Sequence, residues 1–289
     1  MKISSVTVTY NPEVDLLVEQ LNSLKDQVDF IIVVDNGSIN VSDIESIIKN
    51  YRAVLVKINE NKGLSYAQNV GIARAIDDGS QYLLLLDQDS ILQQNFVKNI
   101  CDIYIESGVG ILGPVFYDPN NLELYKGTNY IGPFIRTTKI GRTTDVTYVI
   151  ASGSFFSTDV FKKIGPMNEG LFVDYIDVDW SLRAKSIGLR VAMTNLSRMS
   201  HTIGDSRINF LGRTISVHSP MRRYYLIRNS FFMLRMPYVP FGYKLRELSL
   251  NVVRAAIAIF VSKDRVAAFK MITKGFKDGV NGTFGPYKS

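Results

Sequence analysis

A single cysteine, Cys101, in 289 residues excludes a disulfide framework and any Cys-x-x-Cys zinc or redox site, and a lone thiol fits a reducing compartment. Histidine is nearly as scarce, with His201 and His218 the only two. No early strand is followed by Gly-x-Gly-x-x-Gly, and no Gly-x4-Gly-Lys-Ser/Thr occurs, which disfavours a dinucleotide fold and a P-loop. Long apolar runs are missing too. The longest, Leu248–Val261, carries Asn251 and Arg254 and is shorter than a membrane-spanning helix needs. The short apolar stretch after Lys2 is interrupted by Asn11, Pro12 and Asp15, so no signal-peptide core is expected. The four Asn-x-Ser/Thr sequons, Asn195–Ser197 among them, therefore carry no message. There is no internal repeat or low-complexity segment.

What remains is a globular composition, 46% hydrophobic and 21% charged, long enough for one large domain or a domain with an appendage. The net charge of +6 is unevenly placed. Residues 240–289 hold nine Lys/Arg against three acids, so this tail carries the whole excess and residues 1–239 balance. Such a tail suits an anionic surface as well as it suits a solvated helix face.

The first third alternates. Ile3–Thr9, Phe30–Val34, Ala53–Ile58 and Tyr82–Leu86 read as strands; Val14–Leu24, Val41–Tyr51 and Leu64–Ile76 read as helices. Continuous apolar strands alternating with helices indicate an α/β fold, a mostly parallel central sheet with helices on both faces. Ligands bind such sheets beyond the carboxyl ends of the strands, where Asn11, Asp35-Asn36-Gly37-Ser38 and Asp87-Gln88-Asp89 fall. Tyr117–Tyr148, rich in Gly, Pro, Asn and Thr, reads as a long loop or small hairpin region over a site. Leu171–Ser186 reads as helix and Leu189–Met193 as strand. From Pro220 onward the pattern is helical, broken at Pro237 and Pro240.

Asp87 and Asp89, at i and i+2 after a buried strand, are placed to meet one hard cation, Mg2+ or Mn2+, with positions left for phosphate oxygens. A carboxylate at Asp35 can accept from a base N–H, or simply close an Asx turn. Asp174, Asp177 and Asp179, spaced by aromatic and aliphatic residues, exceed what capping a helix needs. Asp177 is the first choice for a general base and Asp179 the second. Arg222, Arg223 and Arg228 among aromatics read either as a phosphate clamp or as a surface helix with snorkelling arginines.

The ordered set of these pieces resembles family 2 glycosyltransferases of the GT-A fold, in the bacterial rhamnosyltransferase branch. The matching residues run Val6–Asn11, Val33–Ser38, Asn61–Ser65 with Asn69–Gly71, Asp87–Asp89, Ala151–Ser154, Asp177–Arg183, His201 and Arg222–Asn229, within residues 3 to 230. The resemblance implies an inverting, metal-dependent transfer of rhamnose from dTDP-rhamnose to a growing, lipid-linked bacterial surface polysaccharide such as O-antigen. It implies a nucleotide and donor site of Thr9, Tyr10, Asn11, Asp35, Asn36, Gly63, Asn69, Asp87, Gln88, Asp89, Arg222, Arg223 and Arg228. Ser152, Gly153, Asp179 and Trp180 would face acceptor or donor sugar, Asp177 would be the base, and Asp87, Asp89 and His201 would hold Mg2+ or Mn2+. One departure is that Ile176 stands before Asp177 where the family often has an acid.

Residues 1–218 would form the nucleotide-sugar-binding and catalytic domain. Residues 219–289 would form a helical region touching the inner face of the cell membrane, through its basic charge and Phe241, Phe260, Phe269 and Phe276, or a second copy of the chain. A cytoplasmic, peripheral enzyme follows, with no nucleic-acid partner. The alternative donor is a UDP-sugar (galactofuranose, GlcNAc or glucose). A nucleotidyltransferase is the alternative of another class, but Thr9-Tyr10-Asn11-Pro12 lacks its Gly- and Arg-rich loop. A non-catalytic module is disfavoured because the metal and base carboxylates are all present.

Overall fold

Every residue of strand β1 (Ile3–Thr9) is buried, as is all of β2 (Phe30–Asp35) after its first residue. Strands covered on both faces by helices require this. In the computed structural model, which describes residues 1–117, 123–200, 207–210, 213–216, 219–262 and 264–288, β3 (Ala53–Lys57), β2, β1 and β4 (Tyr82–Asp87) run parallel side by side. Helices α1 (Val14–Leu24), α2 (Val41–Ile48) and α3 (Leu64–Asp77) make the crossovers. The register sets Thr9 opposite Asp35 and Val8 opposite Asp87, so three polar strand ends share one edge. Helix α3 lies close on the sheet. A Cβ on Gly71 would stand 2.3 Å from Val6 and 2.9 Å from Val34.

The rest of the sheet is mixed. After β5 (Ile91–Leu92) come α4 (Phe96–Ser107), β6 (Ile111–Tyr117), β7 (Gly127–Ile131), β8 (Phe134–Thr138), β9 (Thr144–Asp145), β10 (Phe155–Ser157) and α5 (Thr158–Ile164). A single 3-10 turn (Glu169–Leu171), α6 (Ile176–Ser186) and β11 (Val191–Ser200) follow. The strand order is β3-β2-β1-β4-β10-β6-β11-β5, with β9 on β11. Strand β10 is antiparallel to both neighbours, while β6 and β11 are parallel. Two hairpins stand apart: β7 with β8, and β12 (Arg207–Phe210) with β13 (Arg213–Ser216). The chain ends in α7 (Pro220–Arg235), α8 (Phe241–Val261) and α9 (Arg265–Asn281).

The expected parallel core, helical extension and breaks at Pro237 and Pro240 are present. The small hairpin expected within 117–148 is present as β7–β8. Two expectations are corrected. The helix expected from Leu171 starts only at Ile176, because Phe172, Asp174 and Tyr175 adopt left-handed φ of 65°, 61° and 65°. Phe276 does not face outward: its ring packs edge-on to Phe231, 5.5 Å away. The C-terminal helices share the main core through Phe232, Met233, Val239 and Tyr243. Among the described residues no helix is long and apolar enough to cross a membrane.

Candidate active site

The strand-end loops are tied to one another by side chains. Asp35 closes its own turn: Oδ2 accepts from Gly37 N–H (3.2 Å) and Ser38 N–H (3.1 Å), and Oδ1 from the Thr9 hydroxyl (3.3 Å). Asn36 links the loop after β2 to the loop before α3, donating to Asn61 Oδ1 (3.1 Å) and accepting from Lys62 N–H (3.0 Å). Asn11 accepts from Ile39 N–H (2.8 Å) and donates its own N–H to Ser38 Oγ (2.8 Å). The Gln88 side chain accepts from Tyr10 N–H (2.8 Å). Asp87 is held from beneath: Gln20 donates to its carbonyl, and its N–H donates to Ser152 Oγ (3.3 Å), which also pairs with Ser90.

These ties leave an open cleft of about 600 Å³. Tyr10, Asn36, Gly63, Asp87 and Gln88 line one wall, and Phe172, Arg222 and Tyr225 the other. The rings of Phe172 and Tyr225 stack at 4.9 Å, and Tyr10 is 47% exposed, so the cleft offers aromatic faces beside backbone and amide groups. Gly63 is required here: at φ +94° its absent Cβ would meet Phe172 at 2.6 Å.

Asp177 sits in the first turn of α6, half-buried, with Oδ2 accepting from Ala151 N–H (3.3 Å). Burial pushes its carboxyl up to about 6, against the lowering effect of backbone hydrogen bonds and with the help of the negative charges of Asp87 and Asp174. A carboxyl in that range takes a proton readily near neutral pH. Asp174, on the strained turn before α6, receives Arg222 in a bidentate pair, Nη2 to Oδ1 at 3.0 Å and Nε at 3.2 and 3.3 Å. That turn is braced from behind. Asn229 donates to the carbonyls of Leu171 (2.9 Å), Val173 (2.7 Å) and Asp174 (3.2 Å). Arg228, fully buried, donates to those of Gly170 (3.1 Å), Leu171 (3.1 Å) and Gly285.

The expected residues therefore divide. Tyr10, Asn36, Gly63, Asp87, Gln88 and Arg222 meet in the cleft. Thr9, Asn11 and Asp35 stand just behind it, holding its loops. Asp89 shares the Asp87 turn, half-buried, without lining the cleft. Several expectations are corrected. Arg228 points into the protein rather than at a diphosphate, and Arg223 is buried on α7. Asn69 is engaged with Met167 and Glu169. Asp179 is fully buried, pairing with Arg183 (3.2 Å) and accepting from Tyr238. Trp180 donates to the Gly165 carbonyl (2.9 Å) and packs on Phe156, so neither faces a sugar. Ser152 is likewise buried behind Asp87, and Gly153 lies against Pro114 and Met199. His201 lies outside the described residues.

Sequence reasoning missed Phe172, Tyr225 and the Arg222–Asp174 pair. Asp174, Arg222 and Tyr225 lie within the clusters already quoted, but spacing did not pair the first two or turn Tyr225 to a site; Phe172 lies outside them. Among the described residues no three His, Cys, Asp or Glu side chains converge as a metal cage. Two strand-end carboxylates beside an open cleft fit a hard cation that takes its remaining ligands from a diphosphate.

Residues 4–165 match the family model described as glycosyl transferase family 2. The dTDP-rhamnosyl transferase RfbF of Shigella flexneri is 33% identical over 288 residues, 98% of this chain and 97% of its own length. The low-salt glycan biosynthesis hexosyltransferase Agl10 of Haloferax volcanii is 21% identical over 239 residues, 80% of this chain and 76% of its own. Among solved structures, S. aureus TarS 1–349 in complex with UDP-GlcNAc has a TM-score of 0.60 at 17% identity, over 97% of this chain and 82% of that one. GalNAc-T7 with UDP, GalNAc and Mn2+ has a TM-score of 0.61 at 14% identity, over 97% of this chain and 56% of that one. This chain thus spans little more than half of the GalNAc-T7 chain. At such identities these structures establish the fold, which is GT-A.

Proposed function

The chain belongs to glycosyl transferase family 2 and is a glycosyltransferase, and from that premise we propose an inverting transfer of rhamnose from dTDP-rhamnose to a lipid-linked bacterial surface polysaccharide. The observation that carries the donor is the full-length match to RfbF, which includes the helical C-terminus as well as the family region.

Tyr10, Asn36, Gly63, Phe172 and Tyr225 hold and orient the nucleotide in the cleft. Arg222, fixed in direction by Asp174, turns positive charge toward the diphosphate. Asp177 takes the proton of the acceptor hydroxyl as that oxygen attacks the anomeric carbon and the bond to the diphosphate breaks, which inverts the configuration. Asp87 and Asp89 would hold Mg2+ or Mn2+, which when bound would supply neutralisation of the charge that collects on the departing diphosphate. No second carboxylic acid is needed, because a diphosphate is a good leaving group without being protonated. Residues 1–218 serve as the donor-binding and catalytic domain. Residues 219–289 serve as a helical extension that rests on the inner face of the cell membrane, in a cytoplasmic, peripheral enzyme.

Thermal stabilisation by dTDP, UDP, GDP and CDP, each with Mn2+ and with EDTA, tests the donor. A larger metal-dependent shift with dTDP than with UDP is expected. A UDP preference overturns the rhamnosyl donor and keeps the glycosyltransferase. No shift with any diphosphate removes the cleft as the donor site.

A further inference from the structure

Helix α8 is inverted relative to an ordinary surface helix. Of its four ionised residues, Arg246, Glu247 and Arg254 turn inward while Lys244 is half-buried, and Glu247, 1% exposed, pairs with both arginines at 2.7 Å. The outward stripe is apolar: Phe241, Leu245, Leu248 and Val252, at successive spacings of four, three and four residues, are 79%, 48%, 53% and 69% exposed. The stripe continues onto another element. At the tip of the β7–β8 hairpin, Ile131 is 51% and Phe134 71% exposed. The tip touches the start of α8 so closely that a Cβ on Gly242 would lie 2.3 Å from the Gly132 backbone. Tyr130 on β7 packs edge-on to Tyr243 at 4.8 Å, and the Arg246 guanidinium covers its ring at 5.2 Å. A hairpin and a helix thus present one continuous apolar surface, larger than the scattered exposed residues of a soluble protein.

Its surroundings say what covers it. Arg136 is exposed on β8 and lines the same hollow as Ile131, Gly132 and Tyr243, Lys139 is exposed just after that strand, and Arg265, Lys270 and Lys277 are exposed on α9. Of the three acids in residues 240–289, Glu247 and Asp278 are buried and paired, which leaves only Asp264 outside. Two copies meeting on this face would bring like charges together. An anionic lipid surface complements both the charge and the apolar centre.

The surface is also tied to the catalytic helix. Tyr175, which opens α6 two residues before Asp177, donates its hydroxyl to Glu247 and accepts from Arg254 Nη1 (2.6 Å) on the inner face of α8. We propose that the β7–β8 tip and the outward stripe of α8 form an apolar wedge that enters the headgroup and acyl boundary of an anionic bilayer, with basic residues at its rim. The wedge rests on the glycosyltransferase reading only for its purpose, to present Asp177 to an acceptor carried on lipid. It goes beyond charge attraction by the tail, because it adds the hairpin and requires burial of side chains.

The test is flotation of the full chain with phosphatidylglycerol-containing and with pure phosphatidylcholine vesicles at low and high salt, alongside the doubly substituted F134S/F241S. Both phenylalanines are mostly exposed, so the variant folds, and L248S/V252S is the second variant. In parallel, emission of Phe241→Trp is read with and without brominated lipid, the native Trp180 being buried at 3% exposure.

We expect binding to anionic vesicles that survives high salt in part, a loss of about tenfold or more in either double variant, and quenching of the introduced tryptophan. Binding abolished by salt and unchanged in both variants overturns the wedge and leaves contact by the basic tail alone. Absence of vesicle binding also overturns it, and a dimer that dissociates in the variants then identifies a second copy as the occupant. The nucleotide-induced thermal shift of the same variants is expected to equal that of the wild type. Its absence in the wild type fails the donor reading without touching the wedge.

Discussion

The sheet half and the helical half of this molecule treat polar residues in opposite ways. At the carboxyl ends of β1, β2 and β4, the polar residues expected at a ligand site line the cleft or hold the loops that form it. On α6 and α7, the polar residues that looked most like ligand contacts are internal braces, Asp179 on Arg183 and Arg228 on three carbonyls, and on α8 Glu247 likewise braces two arginines. A strand has one end from which its chain must leave the core, so a polar cluster there has one place to go. A helix presents every residue sideways, and spacing alone does not say which face turns in. The difference predicts that substitutions in the two halves fail differently, in chemistry at the cleft and in stability at the braces.

The largest effect is expected at Asp177. Asp177→Asn should lower transfer by about two to four orders of magnitude and keep the nucleotide-induced thermal shift. It should also stabilise the protein above pH 6. The folded carboxyl titrates at about 6 and the ordinary value is 3.8, so the native state binds this proton more tightly than the unfolded chain does. Its stabilising contribution is complete below about pH 4 and lost as pH rises through 6. The cost at higher pH is about 3 kcal/mol, which asparagine does not bear. Wild-type transfer rates in the variant would remove Asp177 as the base. An unchanged melting temperature at pH 8 would remove burial as the cause of its shift.

Next come the two arginines. Arg228→Met should destabilise by about 3–5 kcal/mol, since it strips buried carbonyls of their donors, with nucleotide binding kept by the protein that remains folded. Arg222→Met, at a pair whose arginine is 36% exposed, should change stability by less than about 1 kcal/mol and raise the donor KM. Denaturant melts and steady-state kinetics on both variants check this. Equal destabilisation by the two would break the contrast between cleft and brace.

How much was legible follows the same line. The four parallel strands, their helices and the positions Asn36, Asp87 and Gln88 were readable, because an apolar run that stops at a polar cluster marks both strand and edge; Gly63 came from the family resemblance alone. The late start of α6 was not. Nothing local in Phe172–Tyr175 requires left-handed backbone; Asn229 and Arg228, more than fifty positions away, hold it there. Phe172 was missed for that reason, since the turn that sets it in the cleft is built by contacts distant in sequence; Tyr225 was missed because spacing on α7 does not say which face turns to the cleft. The outward stripe of α8 was missed because Arg246, Glu247 and Arg254 read as a solvated face. The expected acceptor residue Trp180 was wrong for the simplest reason, that its indole had an apolar niche against Phe156 and a carbonyl at Gly165.

A glycine pair sharpens the contrast at smaller scale. Gly63→Ala places a Cβ 2.6 Å from Phe172 at φ +94° and should cost about 1–3 kcal/mol, together with a loss of nucleotide affinity. Gly188→Ala, at φ +82° with nothing within 4 Å, should cost only the backbone strain of about 1 kcal/mol and leave binding unchanged. Equal nucleotide affinity in the two variants would show that Phe172 does not shape the occupied cleft.

The smallest expected effect asks whether the brace and the base communicate by charge. Asp177 must be ionised to accept a proton, so kcat/KM should fall as pH drops through about 6. Asp174 adds to the upward shift of that carboxyl and also holds Arg222 in a bidentate pair. Asp174→Asn removes a negative neighbour and loosens a positive one, and both changes favour the ionised form of Asp177. The acid limb should therefore move to lower pH, by less than about one unit, because burial is the largest cause and asparagine leaves it in place. A pH profile of kcat/KM for the two proteins reads this directly. A limb that moves upward would mean that Arg222, once released, turns away from Asp177 and that the turn has opened. A limb that stays put would confine Asp174 to orienting the arginine.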